Sequence, residues 1–206
     1  MKFIYVFELS FLLFSCGSNT DEIKIRESFA TYKKGIFENN PELAISKLHQ
    51  NTFDYFDDVL FIIKEDDSTE VSKISPYEKS IVLLTRHMLS VNEINNISGQ
   101  ELLSFILTME FRDGSDNSNL SIGKISITED LALGEILINN EPSVFNFRFY
   151  NVNTEWYLDL TSLFEIANEV ISEPEKEMIN SILFANLYTI SGTPVDSTIW
   201  IPTDLR

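Results

Sequence analysis

The chain has 206 residues, 44% of them hydrophobic and 16 of them phenylalanine, the composition of a globular rather than a disordered protein and enough for one domain with a substantial core. Its net charge of −17 disfavours nucleic acid and anionic headgroups, whose phosphates it repels, and admits a basic protein partner. One cysteine and two distant histidines, His49 and His87, exclude a disulfide framework and leave no zinc-binding spacing such as HExxH, so no metal is expected.

At the amino terminus Lys2 precedes an apolar run, Phe3 to Phe14, broken by Glu8 and Ser10. A dozen residues is too short for a bilayer, which needs about 20. It suits the apolar region of an export signal. Leu13, Ser15, Cys16 and Gly17 then resemble the lipobox of bacterial lipoproteins, with Phe14 bulkier than the pattern prefers. That resemblance implies cleavage before Cys16, acylation of its thiol by palmitate-like chains, and a membrane partner reached through the lipid. Two or three chains are needed, since one holds only weakly. Residues 1–15 are then a signal peptide, 16–21 the lipidated cysteine and a tether, and 22–206 a single folded domain. The resemblance also implies a Gram-negative cell envelope, with Ser18 pointing to the outer membrane. An ordinary secretory signal or a buried amphipathic helix is the plainer alternative.

Helices follow. Ile25, Phe29, Tyr32 and Ile36 form an apolar stripe at helical spacing. Asn40 and Pro41 cap and open a short helix through Leu48. Phe53, Phe56, Leu60 and Ile63 mark another, with Asp54, Asp57 and Asp58 on its polar side. Ser75 with Glu78 and Ser98 with Glu101 are capping boxes that start two more. Acidic clusters such as Glu65–Asp67 are expected to be solvated surface.

After Arg112 the pattern changes. Residues 113–119 predict a polar loop of Asx turns, without the acid at position twelve that a calcium loop needs, since Lys124 stands there. From Leu120 the period is two: Ile125 and Ile127, then Phe145, Phe147 and Phe149, then Trp156, Leu158 and Leu160 alternate with polar residues. Turns at Asn139–Pro142 and Asn151–Thr154 predict antiparallel hairpins. Helices followed by a strand meander predict an α+β domain, with the helices on one face of a curved sheet. Ser162 with Glu165 should cap a helix to about Ile171, and Pro174 should open another that ends before Gly192.

The helix from Ile23 to Asn39, the segment NNPELAISKLH and the strand pair FNFRFYNVNTEWYLDLTSL together resemble the NTF2-like superfamily, a cone-shaped α+β fold that includes ketosteroid isomerases. The likeness runs from about Ile23 to Leu163, with a helical insertion at about 68–111 and a helical extension at 164–206. It implies a cone that binds or transforms a small apolar molecule. Candidate pocket residues are Tyr32, His49, Arg148 and Asp159. In an enzyme Asp159 serves as base, with Tyr32 or His49 donating to a developing oxyanion. In a binding protein Arg148 and Asp159 form a cross-strand ion pair, His49 caps a helix and Tyr32 is core.

No G-x-S-x-G elbow, P-loop or dinucleotide fingerprint is present, so no cofactor is expected. The favoured function is non-catalytic binding of a small molecule or a protein. An isomerase- or hydratase-type enzyme and an acidic inhibitor or immunity-type protein are the alternatives. A roomy cone lined by a carboxylate and a tyrosine or histidine favours the enzyme.

Overall fold

In a computed structural model, residues 16–110, 120–164, 187–189 and 191–206 are described. The polar loop expected at 113–119, the signal segment and most of the two helices expected after Ser162 lie outside them.

The chain is α+β, as the change of period predicts. Helix α1 spans Cys16–Phe37 and buries Ile25, Phe29 and Ile36, the stripe read from spacing. It begins earlier than expected: the stretch assigned to a tether is helical from Cys16. Asp21 belongs to the fold as well, since its carboxylate accepts a 3.1 Å bond from the Trp156 indole. The helix stops at Asn39, whose φ of 51° lets the Asn40 N–H turn back to the Gly35 carbonyl at 2.8 Å. Helix α2, Pro41–Ile45, opens with the Asn40 side chain accepting from the Leu43 N–H, and ends sooner than Leu48. A Cβ on Gly35 would sit 2.3 Å from the Ala44 nitrogen, so α1 and α2 can meet this closely only through glycine.

Helix α3 is Gln50–Glu65, with Phe56, Leu60 and Ile63 buried. The region read as an insertion is helical: α4 Ser68–Val71, α5 Pro76–Met88, α6 Val91–Asn96 and α7 Gly99–Glu110. Both expected capping boxes form, and Ser90 with Glu93 adds a third. Asp57, expected on the polar side of this helix, accepts from the Gly99 N–H at 2.9 Å and so ties α3 to the start of α7.

The strands β1 Leu120–Thr128, β2 Leu131–Ile138, β3 Glu141–Val152 and β4 Glu155–Asp159 form an antiparallel meander in that order. Asn139–Asn140 and Asn153–Thr154 are two-residue turns with positive φ at both positions, which matches the twist of the strands they join. Strand β2 escaped the alternation rule because Gly134 and Ala132 are small on the inner face while Leu131 and Leu133 lie on the outer one. Phe147, Phe149, Trp156 and Leu158 are buried, and the Phe147 ring packs 4.7 Å from that of Phe29 on α1.

Both sheet edges are managed. Lys47 and His49 bond the Leu158 backbone along β4, each at 2.8 Å. On β1, Arg26 donates to the carbonyls of Ile122 and Gly123, at a bulge, and Lys33 to that of Leu120.

The helix expected from a Ser162 cap opens instead at Thr161, with Asp159 as the acceptor for its N–H, and Ser162 lies inside its first turn. The later helix ends at Gly192, φ 69°, as expected. Beyond it, a 3-10 turn at Ser197–Trp200 packs on α5, and a second at Thr203–Leu205 docks on the end of α3, where the Thr203 hydroxyl donates to the Ile63 carbonyl. Arg86, buried in α5, holds this junction by donating to the carbonyls of Ile62, Ile63, Asp66 and Ile199.

Candidate functional site

The sequence candidates separate in space. Arg148 and Asp159 are register partners on β3 and β4, so their side chains share the face turned away from Phe147, Phe149 and Leu158. The expected ion pair is present, with Arg148 Nη1 3.8 Å from Asp159 Oδ2. Asp159 is fully buried and engaged on both oxygens: it accepts from Asn51 Nδ2 at 3.1 Å, the Thr161 N–H at 3.0 Å and the Thr161 hydroxyl at 2.8 Å. A general base needs a lone pair open to substrate. Here the carboxylate fastens the start of α3 to the end of β4.

His49 is the N-cap of α3, its Nδ1 accepting from the Asn51 N–H at 3.3 Å and its ring packed 4.5 Å from that of Tyr150. That is the helix-capping role. Tyr32 is on the other side of the sheet, so the grouping of Tyr32 with His49, Arg148 and Asp159 in one pocket is corrected. Strand alternation explains the split: Phe149 faces α1, so Arg148 must face away.

Tyr32 does line a cavity. A space of about 250 Å³, partly open to solvent, lies among α1, α7 and the segment after β4. Phe29, Ile36, Phe56, Leu103, Ile106, Leu107, Leu160 and Leu163 supply its apolar wall, while Tyr32, Tyr77 and Lys33 are its polar members among the described residues. No carboxylate or histidine is among them. Lys33 Nζ also donates to the Leu120 carbonyl.

Phe164 closes one side, stacked on Tyr77 at 4.9 Å and tilted against Tyr55 at 4.9 Å. Behind this cluster, burial raises the pKa of the Tyr55 phenol, and the nearby Glu78 carboxylate raises it further, though no hydrogen bond of good geometry joins them. Tyr55 is therefore neutral at physiological pH.

An engineered cavity of about 150 Å³ lined by Leu, Ile and Phe binds benzene, so the larger space here admits more than one ring or a ring with a short chain. Tyr32 was legible as a candidate because it falls on the α1 stripe. Lys33 and Tyr77 were not, because nothing local marks the residue beside a stripe, or one inside a capping box, as lining a space built by distant elements.

Two other arrangements bring polar groups together. His87 Nε2 lies 2.8 Å from Ser191 Oγ, which resembles a nucleophile and base. The neighbouring N–H groups are spent, Gly192 on the Tyr188 carbonyl and Thr193 on Ser191 Oγ, so no pair is left for an oxyanion. This is a helix-end motif. A shallow polar hollow near Lys24 and Lys34 has its other cation, Lys47, engaged with Glu155 at 3.0 Å. No group of acidic, histidine or cysteine side chains among the described residues has metal-binding geometry. Nor is any described helix long and apolar enough to cross a membrane.

No protein-family model matches the chain, and neither a curated protein nor a solved structure is similar to it.

Proposed function

We propose that this is an envelope lipoprotein, anchored through Cys16, whose NTF2-like α+β domain holds a small, mostly apolar molecule without transforming it. The observation that carries this reading is the apolar cavity with no carboxylate among its described lining residues. The carboxylate that a ketosteroid-isomerase-like mechanism would use, Asp159, is buried and engaged by three donors on the far side of the sheet. Helices on one face of an antiparallel meander support the NTF2-like resemblance at the level of architecture.

The test uses N-phenyl-1-naphthylamine, a neutral apolar fluorophore. It should bind the wild-type protein, and Leu107→Trp, which fills the cavity from α7, should weaken binding at least tenfold with the fold intact. Unchanged binding in a folded Leu107→Trp would overturn the cavity reading. The anchor is tested separately: cells should incorporate labelled palmitate into the wild type and not into Cys16→Ala, and label retained in the variant would remove the lipoprotein reading.

A further inference from the structure

We infer that the outer face of the sheet, turned away from the cavity, packs against the same face of a second copy of this chain. An antiparallel sheet with one face in water normally carries apolar residues inside and polar ones outside. Strand β2 reverses that rule. Its inner positions are the small Ala132 and Gly134, and its outer ones are Leu131 and Leu133. Register carries the apolar surface across the neighbouring strands. Leu131 lies opposite Tyr150, and Tyr150 opposite Tyr157, so the three form one row over β2, β3 and β4. Leu133 and Val152 flank that row and are 40% and 42% exposed. Helix α1 packs on the opposite face, through Phe29 on Phe147, and leaves these side chains uncovered.

Charge selects the occupant. The chain carries −17, yet the charges on this face are spent within it. Arg148 pairs with Asp159, and Lys47, which reaches from beyond the β4 edge to the Tyr157 ring, pairs with Glu155. The Glu135 carboxylate accepts from the Lys124 N–H. A basic protein, which the molecule as a whole attracts, would therefore find the carboxylates of this face already engaged. A second copy needs none of them, because it brings an equally neutral surface and leaves no buried charge unpaired. The two halves of the face also complement each other, with leucines on β2 and tyrosines on β3 and β4. A two-fold axis near β3, with the sheets in aligned face-to-face packing, sets the leucines of one copy over the tyrosines of the other. Two copies of this charge repel at long range, and salt shortens that reach from about 10 Å at 0.1 M to about 3 Å at 1 M. Apolar contact is not screened, so association should tighten as salt rises, the reverse of binding to a basic partner.

Sedimentation equilibrium of the full chain tests this. At micromolar concentration the wild type should approach twice the chain mass, and its dimerisation should tighten between 0.1 M and 1 M NaCl. Leu133→Lys should weaken dimerisation at least tenfold, with the circular-dichroism melt retained. Phe61→Lys, which alters an exposed residue of α3 away from the sheet, should leave it unchanged. If Leu133→Lys does not fold, Ser126→Arg, at the exposed register partner of Leu133, should have the same effect. A dimer that persists in both face variants, or that weakens as salt rises, overturns the inference. A wild type that stays monomeric in 1 M NaCl overturns it too. Should that monomer float with neutral phosphatidylcholine vesicles, and Leu133→Lys not, the face belongs to a bilayer instead.

Discussion

Asp159 and His87 carry opposite lessons about single titratable groups. With three donors and a buried position, Asp159 is a structural acceptor, and Asp159→Ala leaves the Thr161 and Asn51 donors without it. A lost bond to a charged group is worth about 1.5–3 kcal/mol, so urea unfolding should show a loss of about 2–3 kcal/mol. Fluorophore binding should persist in that variant, because the cavity lies across the sheet. Loss of binding with the fold preserved would return Asp159 to the candidate site. His87 is held below the ordinary histidine value of 6.5 because burial strips hydration from its charged form. The folded state therefore prefers neutral His87: its contribution to stability is full above pH 6.5 and declines as pH falls through the lowered value. Melting temperature should fall between pH 7 and 5, and fall less steeply in His87→Gln; parallel slopes would assign the loss to other groups. The capping carboxylates Glu93 and Glu101, whose pKa values are lowered by serine donors, give up their contribution only below the ordinary carboxyl value of 4.5.

The elements show where local rules suffice and where they do not. Capping boxes are local, since serine and glutamate three residues apart satisfy each other's N–H groups whatever packs above them, and both boxes read from the sequence form. The Asn-Asn turn between β2 and β3 is local in the same way. Gly35 is different. In a helix interior glycine reads as a weak point, yet here it lets α2 approach α1 to backbone contact. Gly35→Ala would gain helix propensity of about 1 kcal/mol and meet the Ala44 backbone at 2.3 Å, which cannot move as a side chain tip can. Overpacking of this kind costs about 1–3 kcal/mol, occasionally more, so the variant should be less stable than wild type by calorimetry. A stabilised Gly35→Ala would mean that the two helices are not in contact there.

For the whole molecule, the fastening of its carboxyl end depends on Arg86. Among the described residues no carboxylate lies within ion-pair distance of this buried guanidinium; it is solvated by four backbone carbonyls, three of them at the end of α3, where the helix dipole favours a cation. Burial, with the nearby Arg206 second, lowers its pKa to about 10, so it stays charged at neutral pH. Arg86→Met should leave those carbonyls without donors and cost at least about 3 kcal/mol. Proteolysis should also become faster near Ile199, where the released strap would open. A melting temperature within a degree or two of wild type would show that the strap is held by apolar contacts such as Ile199 instead.

Period and capping in the sequence were enough to determine the α+β class, the order of helices before strands, the inward face of Phe147 and Trp156 and the starts of several helices, because each depends on residues within a few positions of one another. The hydrogen bond from Trp156 to Asp21, the role of Asp57 at Gly99 and the separation of Tyr32 from Asp159 depend on residues far apart in the chain, where no spacing rule applies. The cavity belongs to the same class. Its wall is drawn from α1, α3, α5, α7, β1 and the segment after β4. Each contributes one to four side chains that look like ordinary core, and only their packing leaves a space between them with Lys33 at its side.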